Sequence, residues 1–236
     1  MKFSPTYLAL AVVGAAAIGT GLFVSQGRAA EDPVKIPAPM VDEANAPAGS
    51  ETIVLAGGCF WGVQAVFQHV EGVQSAVSGY SGGTLANPGY EEVSSGTTGH
   101  AESVEVKFDP RKVSLGRILQ VYFSVAHNPT ELNYQGPDHG TQYRSAIFFT
   151  SDEQQKVAAA YIDQLNKAGV YPAPIVTEVT KFSSFYPAED YHQDYAYLHP
   201  DQPYIAYNDL PKVANLKALF PAVWRDKPTL VMAKAS

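Results

Sequence analysis

The sequence predicts an α+β fold, a mixed sheet with helices packed on it. Three observations lead there. Strand-like and helix-like segments alternate along the chain, the segments are few for 236 residues, and long turn-rich stretches separate them. A hydrophobic fraction of 46% supports one sizeable domain with a true core. The formal charge of −7 comes with no basic stripe, which argues against nucleic acid as a partner.

The elements follow in order. Thr52-Ile53-Val54-Leu55-Ala56 is a short apolar run fit for a buried strand, and Gly57-Gly58 turns it. Val63, Val66, Phe67 and Val70 recur at helical spacing, and Gly72 closes that helix. Residues 79–99 are dense in Gly, Ser, Thr, Asn and Pro and read as one long loop, of the kind that is often functional. Ser103 to Phe108 alternates as a strand and stops at Asp109-Pro110. Leu115 to Ala126 reads as an amphipathic helix capped by Ser114. After a turn-rich stretch from His127 to Thr141, Ser145 to Thr150 reads as a strand. Ser151-x-x-Gln154 then opens a helix that ends near Gly169. Ile175 to Val179 reads as a further strand. The remainder is long and mostly coiled, with a short helix near Val213 to Phe220.

The ends fall outside this domain, which spans 51–227. In residues 1–30, Lys2 precedes an apolar run from Tyr7 to Val24, followed by Gln26-Gly27-Arg28-Ala29-Ala30. This reads as an export signal cleaved after Ala29, with an uncleaved membrane anchor as the competing reading. Either one places the domain in the periplasm or elsewhere outside the cytoplasm. Residues 31–50, rich in Pro, Ala, Gly, Asp and Glu, read as a flexible linker, and 228–236 as a tail.

The chain has a single cysteine, Cys59. In an exported protein an unpaired cysteine suggests a reactive thiol, the plain alternative being a small buried hydrophobe. Its setting, Gly57-Gly58-Cys59-Phe60-Trp61-Gly62, puts the sulfur at a helix start. There the unpaired N–H groups and positive helix end favour an anion and should lower the thiol pKa. In Gly99-His100-Ala101-Glu102-Ser103-Val104, alternation sets Glu102 on the apolar face with Val104, Val106 and Phe108. Desolvation there would keep its carboxyl protonated, as a general acid requires, unless the strand end frays into water. The scattered histidines show no ligand spacing, so no metal is expected. A cysteine hydrolase pairing Cys59 with His100 or His192 is the rival enzyme reading. An exported aromatic-rich binding domain is the rival without chemistry.

Six motifs occur in order: Gly57-Gly58-Cys59-Phe60-Trp61-Gly62, Gly79-Tyr80-Ser81-Gly82-Gly83, Asn87-Pro88-Gly89-Tyr90, Gly99-His100-Ala101-Glu102, Asp138-His139-Gly140-Thr141-Gln142-Tyr143-Arg144-Ser145 and Ala188-Glu189-Asp190-Tyr191-His192-Gln193. Together they resemble the A-type peptide methionine sulfoxide reductases. The resemblance implies a two-layer sandwich and reduction of the S epimer of methionine sulfoxide, free or in proteins. It also implies that no cofactor is used. Position by position, Cys59 resembles the nucleophile, Glu102 the acid, and Tyr90 and Tyr143 the tyrosines that bond the sulfoxide oxygen. Phe60 and Trp61 resemble the walls around the substrate methyl, and Asp138 a supporting carboxylate. His192, in the last motif, joins these three as a substrate contact. Many relatives carry further cysteines near the C-terminus, and this sequence has none from Leu198 to Ser236. The expected partner is therefore an external thiol reductant, a thioredoxin-like protein or a small dithiol.

Overall fold

The computed structural model describes residues 33–43 and 49–232. Six strands form one mixed sheet, in which β1 (Glu51–Ala56) and β3 (Ala101–Phe108) pair antiparallel at the centre. Outside β1 lie β6 (Ala146–Phe149), antiparallel, and then β7 (Glu178–Lys181), parallel to β6. On the other side β2 (Val73–Ser81) pairs with β3, and β8 (Phe185–Pro187) with β2, both antiparallel. A separate two-stranded ribbon joins β4 (Tyr134–Gln135) and β5 (Asp138–His139).

Period-two alternation sorts the sheet's faces. Leu55 pairs with Val104 and Ile147, and Ile53 with Val106, so these side chains share one face. That face packs with α1 (Phe60–Gln68), α3 (Leu115–Val121) and α4 (Asp152–Ala168) into the main core. Val54, Ala56 and Phe148 point the other way, into a smaller cluster with Phe182 and Phe185. A helical layer on a sheet is the architecture the sequence predicts.

The caps explain the helix bounds. Ser114 Oγ accepts from Arg117 N–H (3.2 Å) at α3, and α3 runs on through a π-helical turn, Tyr122–Ala126. Ser151 Oγ accepts from Gln154 N–H (3.1 Å) at α4, and Gly169 ends that helix with φ 60°. Gln154 reaches back one residue further than a capping box would, accepting from Thr150 N–H at 2.9 Å.

Four expectations need correction. First, β2 was not expected, and the predicted loop 79–99 begins inside it. Ser78, Gly79 and Ser81 are buried, with Gln193 bonding the Ser78 backbone and Ser81 Oγ donating to Ser184 C=O, so a sequence that reads as a turn lies inside the sheet. Within 79–99 the chain also forms α2 (Tyr90–Ser94). Second, the strand predicted at Ile175 to Val179 begins three residues later and ends at Lys181, where pairing with β6 becomes available. Third, residues 33–43 are not a solvated linker but an extended strap across α3 and α4. Val34 N–H donates to Ser124 C=O (3.1 Å), Gln120 Nε2 to Ile36 C=O (3.0 Å) and Tyr161 Oη to Pro37 C=O (2.7 Å), with Ile36 buried. Fourth, the domain continues past 227. Thr229 N–H donates to Gln68 C=O, and Val231 and Met232 N–H to the buried Asp194 carboxylate.

The run Tyr7–Val24 lies outside the described residues, and no helix among the described residues is long and apolar enough to cross a membrane. Phe67 on α1 is wholly buried in the main core. Phe67→Ala is expected to cost about 3–5 kcal/mol by leaving a cavity. Urea denaturation measures it, and a loss below about 1 kcal/mol would contradict the packing described.

Candidate active site

The site forms where the chain leaves the sheet between β1 and α1. A Cβ on Gly57 would meet the His127 ring at 2.8 Å, and one on Gly58 (φ 84°) would meet the Gln135 side chain at 2.6 Å. Only glycine fits so tight an exit from the strand. Cys59 is then the N-cap of α1 and lies 8% exposed. Leu55 pairs with Val104, so two residues further along this register Glu102 faces the exit at Gly57. Its Oε2 accepts from Phe60 N–H at 3.1 Å, an orphan donor of the first helical turn. Glu102 is buried, as the alternation predicted, and does not fray into water.

Burial pushes the Glu102 carboxyl up to about 8; Asp138 and Asp209 push the same way, and the Phe60 N–H opposes them. The carboxyl therefore carries a proton at neutral pH. Cys59 departs from expectation. Its thiol is held well above its ordinary value, first by burial and then by Glu102, Asp209 and Asp138, against the Trp61 N–H that favours the thiolate. The helix end acts as predicted, but desolvation and nearby carboxylates outweigh it.

The two tyrosines come from separate elements that are tied together. Tyr90 opens α2, and Tyr143 ends a 3₁₀ turn, Thr141–Tyr143. Gln142 Nε2 donates to Ser94 C=O (3.2 Å) and Thr141 Oγ1 to Gly96 C=O (3.1 Å), fastening the turn to the end of α2. Arg144 Nη2 donates to Gly99 C=O (3.0 Å), two residues before β3. Burial raises both phenol pKa values, and Glu102 and Cys59 lie close enough to raise them further. Both hydroxyls thus stay protonated, as hydrogen-bond donors.

Aromatic rings form the outer wall. Trp61 stacks on Tyr195 with centroids 4.0 Å apart, and its Nε1–H donates to His192 Nδ1 at 3.2 Å. That bond leaves the His192 proton on Nε2. The His192 ring also meets Phe60 at 5.2 Å and Tyr90 at 4.6 Å. Asp138, on β5, accepts a hydrogen bond from Tyr204 Oη. All eight residues singled out in the sequence converge: Cys59, Glu102, Tyr90, Tyr143, Phe60, Trp61, Asp138 and His192.

Several neighbours were not anticipated. Glu189 accepts from Tyr80 Oη and from Tyr90 N–H, both at 2.9 Å, joining β2 to α2. Asp209, fully buried, lies against Gly62 of α1, 3.5 Å from Lys212 Nζ. Burial raises its carboxyl to about 6, against the pull of Lys212. Glu189 stands inside a quoted motif and was assigned no role. Asp209 and Tyr204 sit in the segment read as coil, where only the acid–Leu-Pro–base spacing of Asp209 and Lys212 hints at a helix start.

The hydrolase arrangement is not formed. His100 Nδ1 accepts from Gly83 N–H (3.1 Å) and Nε2 donates to Leu85 C=O (2.8 Å), so both ring nitrogens brace a loop. His192 Nδ1 is taken by Trp61.

The sequence profile of peptide methionine sulfoxide reductase matches residues 51–222. Peptide methionine sulfoxide reductase MsrA 2 of Mesorhizobium japonicum is 63% identical over 196 residues, which cover 83% of this chain and 100% of that protein. The protein of the same name from Synechocystis sp. is 51% identical over 185 residues, 77% of this chain and 86% of its own. Among solved structures, reduced Mxr1 from Saccharomyces cerevisiae matches with a TM-score of 0.59 at 31% identity, covering 69% of this chain and 92% of that one. Methionine sulfoxide reductase A of Corynebacterium diphtheriae matches with a TM-score of 0.56 at 33% identity, covering 72% and 88%. The matched span holds every site residue from Cys59 to Lys212, and the chain belongs to the peptide methionine sulfoxide reductase family.

Proposed function

We propose that Cys59 and Glu102 act as nucleophile and acid in the reaction of this family, the reduction of the S epimer of methionine sulfoxide to methionine. The enzyme is a peptide-methionine (S)-S-oxide reductase, an oxidoreductase that repairs oxidised proteins. The observation that carries the assignment is the Glu102 carboxyl, buried and bonded to the N–H next to Cys59, where burial favours its protonated form.

A sulfoxide sulfur is a weak electrophile until its oxygen is protonated. Tyr90 and Tyr143 donate hydrogen bonds to that oxygen, and Glu102 delivers a proton as the Cys59 sulfur attacks. The Glu102 carboxylate takes up the thiol proton, so a thiol that is neutral at rest suits this cycle. A second protonation releases the oxygen as water. Hydrolysis of the S–S⁺ bond then yields methionine and the Cys59 sulfenic acid, returning one proton. Phe60 and Trp61 enclose the methyl, with His192 fixing the indole, and Asp138 stands beside the substrate with Tyr204 bonded to it.

The sequence holds no other cysteine to attack the sulfenic acid. An external thiol, either a thioredoxin-like protein or a small thiol, completes the cycle without a prosthetic group. The Lys2–Ala30 segment supports export, with the domain acting outside the cytoplasm. Amino-terminal sequencing of the secreted protein checks this, and a mature chain starting at Met1 in the cytoplasm would reject it.

Turnover of the separated sulfoxide epimers with a dithiol tests the reaction. The S epimer should be consumed and the R epimer left untouched. Equal rates for both would sink the reading.

A further inference from the structure

Cys59 borders a cavity of about 240 Å³ that shares Asp138 and Tyr204 with the sulfoxide site but none of the groups that meet the sulfoxide oxygen or methyl. Glu102, Tyr90, Tyr143, Phe60 and Trp61 are all absent from its walls. Its walls include Gln135, Asp138 and Tyr204, which lie near Cys59, and Val34, Phe123, Tyr171 and Pro172, gathered around the Phe123–Ser124 backbone. The docked strap thus supplies one wall through Val34, whose backbone is held on both sides by Ser124. A volume equal to about eight waters holds a thiol of a few carbons but no folded protein.

We infer that this cavity is the site of the second half of the cycle, where a low-molecular-weight thiol reaches the oxidised Cys59 from a face that the acid does not occupy. The inference rests on the external-thiol reading above. Displacement at a sulfenic sulfur needs the attacking thiol and the leaving oxygen in line. The oxygen must leave protonated, and the Glu102 acid stands outside the cavity. A thiol entering past Val34 therefore meets the sulfur without competing for the acid's place. In the first step RSH and Cys59–SOH give Cys59–S–SR and water: the S–S bond forms, the S–O bond breaks, and the thiol proton leaves with the hydroxyl. In the second step another RSH attacks the mixed disulfide, giving RSSR and reduced Cys59. Two thiols are oxidised and one sulfenic acid is reduced.

The cavity can be filled from its far end without touching the sulfoxide residues. Val34→Trp places an indole in the strap wall while its backbone bonds remain, and Pro172→Trp does so from an exposed loop. The reduced full-length chain is mixed with excess S-sulfoxide and no reductant, and the burst of methionine is measured. Mercaptoethanol is then added, and loss of the sulfenic acid is followed by dimedone labelling and mass spectrometry. In both variants the burst should match wild type while the regeneration rate constant falls by about tenfold or more. Far-UV circular dichroism checks folding, and if one variant misfolds the other carries the test. Regeneration at the wild-type rate in a folded variant overturns the inference. A variant that loses the burst also overturns it, because the cavity would then be part of the sulfoxide site. An absent burst in wild type overturns the external-thiol cycle itself, and this inference with it.

Discussion

Cys59→Ser is expected to reduce S-sulfoxide turnover below about 10⁻⁴ of wild type while leaving the fold intact. Serine is nearly the same size and is a preferred N-cap residue, so α1 should be at least as stable. What is lost is chemistry: a hydroxyl oxygen is a far poorer nucleophile toward sulfur, and it cannot be converted to a sulfenic acid. The readouts are steady-state turnover, the methionine burst and thermal unfolding. Because Cys59 is the sole cysteine of the sequence, the variant should also show no thiol titration. Turnover above about 1% of wild type in a serine variant with a wild-type melting point would remove Cys59 from the reaction.

Glu102→Gln should lower the rate of the methionine burst by about 10²–10³ with little change in folding. Glutamine keeps the shape and can still accept from Phe60 N–H, but it has no proton to deliver to the leaving oxygen. The pH profile separates this role from a structural one. In wild type the active form is the protonated carboxyl, so the rate should fall as pH rises through about 8. In the variant that descending limb should vanish. The same shift acts on stability. Between the ordinary carboxyl range and about 8 the folded state holds a proton that the unfolded chain has released, so stability declines across that window as pH rises. A variant with wild-type burst rate, or one that keeps the limb near pH 8, would exclude Glu102 as the acid.

Much of the site was legible because its parts are local patterns. Two glycines before Cys59 imply a tight exit from a strand, and the structure fills both Cβ positions with His127 and Gln135. Alternation along β3 sufficed to bury Glu102, since a side chain's face depends on parity alone. Other features could not be read this way. The strand β2 carries Ser and Gly at buried positions, and the Gln193 amide satisfies the Ser78 backbone N–H and C=O. No window of sequence around Ser78 contains that partner. The strap at 33–43 has a linker's composition, but the side chains of Gln120, Tyr161 and Gln164 accept or donate to its backbone. Its Pro and Ala are compatible with an extended chain either way, so docking depends on the helices beneath.

The acidity of Cys59 divides the two sources of information most clearly. The sequence by itself determined that the chain's one thiol sits at a helix start after Gly57-Gly58, and it supplied the six ordered motifs that identify the chemistry. A helix terminus is a local feature, so its pull on the sulfur could be foreseen. Only the tertiary structure decided the net result, because Glu102, Asp138 and Asp209 come from distant parts of the chain and gather near the buried sulfur. Desolvation and like charge depend on everything packed nearby, whatever its place in the sequence. They leave Cys59 as a neutral thiol beside a protonated Glu102, two protons held where a sulfoxide oxygen needs them.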